Sequence, residues 1–262
     1  MKDDSTRSSN TRQFARLAKL SRVYTRATSP VAYLARKFIV DVSRQLSPSA
    51  AIALDLGCGT CPYQSLVCSS FRTDLYIGID LAPTDTTVLV ADAKCLPLGD
   101  ASVDLIVSFD VIQHISKSEA MLDEMARVLI PNGYVLLTYP FLYPECDFHD
   151  FQRWTIEGMN DALARRGMSP VVFSRRGGPL FAAACALTWA VQHIIPGQRK
   201  SWRERRTLLG VIRSSFVALM TIPTNAIAWA ALLVDSILPT RGAYMGGAVL
   251  ARKVAPVARI GP

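Results

Sequence analysis

Short apolar runs alternate with amphipathic helical patterns through much of the chain. The first run, AIALDLG at 51–57, is apolar at nearly every position, which is typical of a strand buried on both faces of a parallel sheet. Five later runs have the same character and span 75–80, 87–92, 103–110, 133–140 and 169–176. Helical patterns lie at 117–129, which ends at the turn sequence PNG, and at 155–167, which ends at Gly167. This order predicts an α/β protein with a Rossmann-like, doubly wound, mostly parallel sheet.

The regions outside these runs divide the chain further. Ser29 can cap a helix whose first position is Pro30, so we predict an N-terminal helix over 29–47 after a basic, flexible tail over 1–28. The resulting division is a core over 29–178, an apolar helical insert over 179–240, and the last strand with a tail over 241–262.

The insert contains two uncharged stretches on either side of a basic run. The second stretch, 216–234, has nineteen residues without a charge, which meets the usual length of a membrane span; Pro223 and Asn225 are expected to interrupt it. Because the strands before and after the insert belong to one sheet, both ends of the insert must lie on the same side of a membrane. Two crossings would put the five positive charges of 197–206 outside, against the positive-inside tendency. We therefore predict monotopic attachment to an anionic membrane surface; an internal cap or a dimer core is the alternative.

Composition and charge narrow the classes of function. The 262 residues are 50% hydrophobic with a net charge of +8, and between Thr6 and Ser49 nine Lys or Arg stand against one acid, Asp41. Such an excess suits nucleic acid, an anionic membrane surface or an anionic substrate. Because no basic run is interleaved with stacking aromatic residues, we expect no nucleic-acid partner. The six cysteines are scattered and the first forty residues lack an apolar signal segment, so we predict a reducing, cytoplasmic location at the inner face of the membrane.

The stretch LDLGCGTCPY at 54–63 is the strongest candidate for a binding loop. A dinucleotide pyrophosphate would need a third glycine where Pro62 stands, and the carboxylate of Asp55 would repel its phosphates. Thiol–disulfide exchange by Cys58 and Cys61 is disfavoured, since Cys58 lies between two glycines and the upstream residues are aliphatic. The charge of Asp55 suits a cationic ligand instead, such as S-adenosylmethionine with its ammonium and sulfonium groups.

Two further acids end predicted strands. Asp80 ends the second strand, twenty-three residues after Gly57, where a carboxylate can accept hydrogen bonds from both ribose hydroxyls. Asp92 ends the third strand, where its carboxylate can receive an adenine amino group. Because the ends of parallel strands meet at one crevice, Asp55, Asp80 and Asp92 are predicted to form one site.

Taken in order, LDLGCGTCPY, YIGIDL, ADAKCLPLGDASVDLIVSFDVIQHI and RVLIPNGYVLLTYP resemble the class I S-adenosylmethionine-dependent methyltransferases. The resemblance covers about 51–176 and 242–253. Within the family, the chain is similar to type 11-like methyltransferases of polysaccharide and natural-product gene clusters. The resemblance implies a seven-stranded sheet whose last strand, at 243–253, is antiparallel, and S-adenosylmethionine as the cofactor.

The resemblance also implies roles for individual residues. The methionine end of the cofactor would be held at Asp55, Gly57 and Gly59, the ribose at Asp80, and the adenine at Asp92 and Ala93, with Phe109 lining the pocket. The whole implied cofactor-binding set is Asp55, Gly57, Cys58, Gly59, Tyr63, Asp80, Leu81, Asp92, Ala93 and Phe109. Cys61 departs from the family pattern, because many members have glycine there. No metal site is predicted.

The stretch HDFQRWT at 149–155 follows the fifth strand and carries the candidate catalytic side chains. His149 can take a proton from a hydroxyl acceptor, and the carboxylate of Asp150 can hold His149 in place. Arg153 can pair with Asp150 or hold an anionic group of the substrate. The alternative is that Asp150 and Arg153 only order the loop. His114, after the fourth strand, is a rival for the base.

We therefore expect a methyltransferase that O-methylates a sugar, a glycolipid or a secondary metabolite near a membrane. The acceptor would be a small molecule, a glycan or a lipid-linked compound. C-methylation of a lipid, quinone-like ring is the alternative within the same class. A scaffold that binds the methyl donor without transferring it is the alternative from another class. The sequence predicts no oligomeric state.

Overall fold

The computed structural model describes residues 29–46, 49–145, 149–193, 208–238 and 242–255; the predicted tail at 1–28 and the basic run at 197–206 lie outside them. Within these residues the strands are β1 (Ile52–Leu56), β2 (Leu75–Asp80), β3 (Leu89–Val90), β4 (Val103–Phe109), β5 (Leu129–Pro140), β6 (Met168–Arg176) and β7 (Gly246–Lys253). The α-helices are α1 (Pro30–Leu46), α2 (Gln64–Phe71), α3 (Ser118–Val128), α4 (Ile156–Ala164), α5 (Pro179–His193) and α6 (Leu208–Ile237). A short 3-10 helix, Ile112–His114, follows β4.

The strands form one sheet in the order β3–β2–β1–β4–β5–β7–β6. Neighbours among β1 to β5 pair in parallel, whereas β7 is antiparallel to both β5 and β6. The predicted seven-stranded, mostly parallel sheet with an antiparallel last strand is therefore confirmed. Strand order reverses between β1 and β4, and the carboxyl ends of strands at such a switch point border a ligand crevice.

Helices cover both faces of the sheet with separate apolar layers. On one face, α3 and α4 bury side chains that include Met121, Met125 and Leu163. On the other face, α1 and α2 bury Ile39 and Phe71 among others. Each fully buried side chain of this size contributes roughly 1.5–3 kcal/mol of transfer free energy. Burial on both sides explains why the strand sequences are apolar at nearly every position.

Two strands differ in extent from the sequence prediction. The third strand is only Leu89–Val90, an edge strand paired with β2, so Asp92 follows it by two residues. The fifth strand begins at Leu129, directly after α3, so the PNG sequence lies inside β5 and not before it. The register of β5 with β4 shifts there, and Asn132 adopts a φ of 67°, as expected of a bulge that takes up extra residues.

The apolar insert forms α5 and α6, which pack on each other through residues that include Phe181 and Ala228. Asp235 of α6 ties this pair to the core. Its carboxylate accepts hydrogen bonds from the backbone N–H groups of Gly178 (3.0 Å), Leu180 (3.3 Å) and Phe181 (2.8 Å) at the start of α5. An acid at a helix N-terminus satisfies donors that otherwise lack a partner in the helix.

The predicted interruption at Pro223 and Asn225 is wrong, because α6 continues through both residues. Proline removes one backbone hydrogen bond from a helix. Beside it, the Thr224 hydroxyl donates to the carbonyl oxygen of Met220 at 2.9 Å, and long apolar segments extend the helix on both sides. Among the residues with described structure, no helix combines the length and apolar character that a membrane crossing requires.

Candidate functional site

Four strands end at the same level and bring the predicted cofactor residues to one edge of the sheet. Asp55 of β1 lies opposite Gly78 of β2 and Val107 of β4, while Asp80 of β2 lies opposite Val90 of β3. The segments that leave these strands therefore start side by side. This register brings the segments that follow β1, β2, β3 and β4 to one edge of the sheet, where parallel strands commonly border a ligand crevice.

The loop after β1 follows a path that depends on glycine. Gly57 has a φ of +71°, and a Cβ atom there would lie 2.5 Å from both methyl carbons of Val111. Gly59 has a φ of +53°. Cys61 also adopts a positive φ, 46°, so the residue that replaces the family's glycine keeps a conformation that glycine adopts freely.

Asp80 holds this loop in place. One carboxylate oxygen accepts a hydrogen bond from the backbone N–H of Gly59 at 2.9 Å, and the other accepts from the N–H of Ala82 at 3.0 Å. A carboxylate has about four acceptor positions, so each oxygen can still accept from a ligand hydroxyl. Asp80 therefore both shapes the glycine loop and offers acceptors to a ribose.

Asp92 and Ala93, which the sequence assigns to the adenine, follow the short strand β3. The Asp92 carboxylate accepts from the backbone N–H of Lys94 at 2.9 Å and lies 3.4 Å from the Lys94 ammonium, and its side chain is partly exposed. Ala93 is buried, whereas Leu81, directly after β2, is 65% exposed. Exposed apolar surface beside a polar crevice suits a flat, partly apolar ligand group.

Asp55 lies under the loop in a buried setting. It is 3% exposed, and the Tyr76 hydroxyl donates to its Oδ2 at 2.6 Å. Burial raises the pKa of Asp55 to about 6; the nearby charge of Asp80 adds to the increase and the Tyr76 hydrogen bond opposes it. A cationic group beside Asp55 would favour its ionised form.

Replacing Asp55 by asparagine is expected to change how stability depends on pH. The folded pKa of about 6 exceeds the usual value, so the stabilisation associated with Asp55 is intact below about pH 4 and is lost as the pH rises towards 6. Relative to Asp55→Asn, the wild type should lose up to about 3 kcal/mol of unfolding free energy across this window. Urea unfolding at several pH values measures it.

The Tyr76→Phe variant is the companion to that experiment. It removes the hydrogen bond that lowers the pKa of Asp55, so the loss of stability should extend to higher pH than in the wild type. A difference between wild type and Asp55→Asn that stays constant from pH 4 to pH 7 would contradict the assignment.

The two loop cysteines are packed in the fold, and both are buried. Their sulfur atoms lie over Gly78, where a Cβ atom would be 2.9 Å from the sulfur of Cys58 and 3.1 Å from that of Cys61. Burial, followed by the proximity of Cys61, raises the pKa of Cys58 to about 12. Because the thiolate is the reactive species, this environment argues against thiol–disulfide exchange, in line with the sequence interpretation.

The sequence did not predict an ion pair between Asp110, directly after β4, and Arg176, the last residue of β6. Asp110 follows β4, and its carboxylate binds the guanidinium of Arg176 through two hydrogen bonds, one of 3.0 Å. Arg176 is 2% exposed and the Asp110 side chain is 35% exposed, so the carboxylate is the part of the pair that faces outward. Burial by itself lowers the pKa of Arg176, but the charge of Asp110 outweighs it and raises the pKa overall.

Aromatic side chains lie around this pair. The ring of Tyr63 packs on that of Phe109 with centroids 4.5 Å apart, and Phe141 stacks on Tyr244 at 4.9 Å. Phe109 directly precedes Asp110 along the chain, so the Tyr63–Phe109 contact lies next to the ion pair. Tyr63 and Phe109, both predicted to bind the cofactor, therefore lie between the loop after β1 and the Asp110–Arg176 pair.

One signal could have pointed to Asp110. It follows an apolar strand directly, as Asp80 does, so the strand-end rule applies to it equally. Nothing in the sequence indicates its partner, because Arg176 lies 66 residues further along the chain.

The candidate catalytic segment is held by the Asp150–Arg153 pair. The Asp150 side chain is fully buried, and Arg153 binds it through both terminal nitrogens, with one contact of 2.8 Å. Arg153 also donates to the carbonyl oxygens of Tyr143 (3.2 Å) and Gln152 (3.0 Å). These contacts hold Asp150 and Arg153 together and tie the segment to Tyr143, after β5.

His149 is exposed and lies against the segment after β4. Its ring stacks on Phe151 at 5.9 Å, and its carbonyl oxygen accepts a hydrogen bond from Nδ1 of His114 at 2.6 Å. Since a carbonyl only accepts, Nδ1 of His114 carries a proton, and Nε2 can accept from the amide of Gln113 at 3.1 Å. His114 is therefore engaged on both ring nitrogens, whereas the imidazole of His149 extends from the loop.

The comparisons with known proteins agree with this geometry. Residues 54–137 match the family model described as a methyltransferase domain. The chain is 34% identical over 103 residues to a malonyl-[acyl-carrier protein] O-methyltransferase from Methylococcus capsulatus, a match that covers 34% of this chain and 38% of that protein. It is 25% identical over 164 residues to a fatty-acid O-methyltransferase from Mycolicibacterium smegmatis, with 58% of each chain covered. The chain thus spans well under two thirds of the length of these relatives.

A solved structure shows the same fold. A putative sarcosine dimethylglycine methyltransferase from Galdieria sulphuraria superposes with a TM-score of 0.53 at 16% identity, covering 84% of both chains. The matched family segment extends from β1 to β5, so it contains the glycine loop, Asp80, Asp92 and Phe109.

Proposed function

We propose that this chain, which belongs to the class I S-adenosylmethionine-dependent methyltransferases, transfers a methyl group to a hydroxyl oxygen of a sugar, a glycolipid or a secondary metabolite. The observation that carries the proposal is the link between Asp80 and the glycine loop, whose 2.9 Å hydrogen bond builds a cradle with free acceptor positions for a ribose. Both relatives named above are O-methyltransferases, which supports an oxygen acceptor.

The residues of the crevice fit S-adenosylmethionine group by group. Asp55 would attract its ammonium and sulfonium end, Asp80 would accept from its ribose hydroxyls, and Asp92 would accept from its adenine amino group. Gly57 and Gly59 let the backbone approach closely, and Tyr63 and Phe109 would exclude water from the transfer region. When bound, S-adenosylmethionine supplies a methyl group on a positively charged sulfur, which is already activated for displacement.

The charge around Asp110 supports a neutral hydroxyl as the acceptor group. The carboxylate is the exposed member of its ion pair, so an acidic acceptor group beside it would be repelled. A second hydroxyl of the acceptor, next to the one that is methylated, can instead donate to the remaining acceptor positions of this carboxylate and would orient the reacting oxygen. Proximity and alignment supply most of the rate in such a displacement, so this contact would matter for turnover.

His149 is the base in this proposal, and Asp150 and Arg153 act through the loop that carries it. The imidazole would take the hydroxyl proton as the acceptor oxygen bonds to the methyl carbon. His149→Ala is expected to lower kcat about 100-fold, with the affinity for S-adenosylmethionine unchanged. Asp100→Asn is the control, because the Asp100 side chain is 80% exposed at the turn before β4, and it should leave kcat within a few fold of the wild type. Equal activity of His149→Ala and the wild type would remove His149 as the base.

Mass spectrometry of extracts from cells with and without the protein tests the reaction itself. The expected result is a set of lipids or glycans heavier by one methylene unit only when the protein is present. Tandem spectra that place the methyl group on a ring carbon would favour C-methylation of a quinone-like compound. S-adenosylmethionine binding with no methylated product would favour the scaffold alternative.

We also propose a location in the cell for the enzyme. An apolar insert beside the acceptor region suits a lipid-linked or amphiphilic acceptor, and the net charge of +8 suits a cytoplasmic location on the anionic inner face of a membrane.

A further inference from the structure

The outer surface of α6 is apolar over five turns. Among its described residues, the large exposed side chains are hydrophobic and include Leu219 (61%), Ile222 (54%), Ile227 (49%), Leu233 (62%) and Ile237 (67%); the smaller residues Pro223, Ala226, Ala230 and Ser236 are exposed as well. Between 219 and 238 the only ionisable residue is Asp235, and its carboxylate is occupied by the N-terminus of α5. Leu180 and Leu187 of α5, the helix that packs on α6, are about half exposed as well. A contiguous apolar patch of this kind marks a binding surface on a protein.

Aromatic side chains lie where this surface meets the core. Trp229 of α6 and Tyr33 of α1 pack with ring centroids 5.0 Å apart, and both remain more than a third exposed. Trp and Tyr combine an apolar ring with a polar group, and they are enriched at the boundary between lipid and water.

Cationic side chains lie next to this boundary. Arg36 and Lys37 are exposed one turn along α1 from Tyr33. Lys37 and Arg175 line a groove of about 690 Å³ together with Leu232 of α6. Asp41 pairs with Lys37 at 2.7 Å and Asp235 also lines the groove, whereas Arg36, Lys37 and Arg175 carry three positive charges, so the charge at this boundary stays positive. Positive side chains beside an apolar surface complement anionic headgroups.

We infer that α6, Trp229, Tyr33 and the cations of α1 and β6 form a docking surface for an anionic lipid bilayer. The apolar side chains of α6 enter the boundary between headgroups and acyl chains, the aromatic pair lies at headgroup level, and Arg36, Lys37 and Arg175 contact lipid phosphates. The surface adjoins the carboxyl edge of the sheet, because α5 starts directly after β6. The bilayer would also be the source of a lipid-linked acceptor, and in this respect the inference rests on the proposed function.

Flotation of the full chain with vesicles tests the docking surface. The vesicles are phosphatidylcholine alone, or an equimolar mixture of phosphatidylcholine and phosphatidylglycerol. The wild type is expected to float with the mixed vesicles, and Leu233→Glu/Ile237→Glu should bind them at least roughly tenfold more weakly. The matched control is Leu75→Glu/Val254→Glu, which adds the same charge at exposed apolar positions on the opposite edge of the sheet and should float like the wild type.

The cations are tested separately. Arg36→Gln/Lys37→Gln is expected to weaken binding to the mixed vesicles roughly fivefold for each charge removed, with little change for phosphatidylcholine alone. A wild type that does not float, or equal flotation of all variants, overturns the inference. A wild-type dimer that Leu233→Glu/Ile237→Glu converts to monomer, without vesicle binding, assigns the surface to a second copy and also overturns it.

Calorimetry separates this inference from the proposed function. Leu233→Glu/Ile237→Glu should bind S-adenosylhomocysteine as tightly as the wild type, because the substituted residues are exposed on the insert. Loss of nucleoside binding in every protein, with flotation intact, would contradict the proposed function and leave the docking surface standing.

Discussion

Replacing Asp80 by alanine is expected to weaken S-adenosylmethionine binding more than any other single substitution in the crevice. The change would remove the two hydrogen bonds that we propose from the ribose to this charged acceptor, and it releases the N–H of Gly59, which shapes the loop. Hydrogen bonds to charged groups contribute about 1.5–3 kcal/mol each, so the affinity should fall by roughly 100-fold or more. Isothermal calorimetry with S-adenosylhomocysteine measures the loss.

Two further variants separate the loss of the Asp80 acceptor atoms from a general effect of removing a carboxylate. Asp80→Asn keeps one acceptor oxygen and is expected to fall between the wild type and Asp80→Ala. Asp74→Ala removes an exposed carboxylate at the opposite edge of the sheet and should bind like the wild type. If Asp80→Ala retained wild-type affinity with an unchanged melting temperature, the ribose role of Asp80 would be wrong.

Replacing Asp110 by asparagine is expected to give the largest loss of stability. Asparagine matches the shape of aspartate and tolerates the positive φ of 55° at this position, so the substitution removes only the charge. It leaves the guanidinium of Arg176, which is 2% exposed, without a counter-charge. Breaking a buried pair in this way costs about 3–5 kcal/mol. Urea unfolding measures this loss in the free energy of unfolding.

Rescue and control variants accompany the Asp110 experiment. Asp110→Asn/Arg176→Met removes the stranded charge and should recover much of the lost stability, because an apolar side chain of similar length fills the buried site. Asp100→Asn removes an acid paired with Arg127 at the surface, where the Asp100 side chain is 80% exposed, and it should change stability little. Equal effects of Asp110→Asn and Asp100→Asn would mean that Arg176 does not depend on Asp110.

The strands of the sheet and the cofactor residues at their ends can be predicted from short stretches of the sequence. Apolar runs end at Gly57, Asp80 and Asp92, and parallel pairing alone brings strand ends together. The deviations have local causes as well. The third strand is short because only Leu89 and Val90 of the apolar run pair with β2, and α6 continues through Pro223 because a long helix can lose one hydrogen bond.

The acceptor side depends on contacts between distant segments, which a single sequence does not reveal. Arg176 looks like one of two ordinary basic residues at a strand end, and only folding brings it to Asp110. Asp55 was identified from its charge, but its burial and its hydrogen bond with Tyr76 appear only in the structure. The exposed face of α6 also appears only in the structure, because an apolar sequence does not indicate which of its side chains another helix covers.

A calorimetric titration of the wild type with S-adenosylmethionine and, separately, with NAD⁺ tests the central claim most directly. The account predicts saturable binding of S-adenosylmethionine with one molecule per chain, because Asp55 favours a cationic ligand, and no detectable binding of the anionic dinucleotide. Binding of NAD⁺ in preference to S-adenosylmethionine would contradict the assignment of the glycine loop and the function built on it.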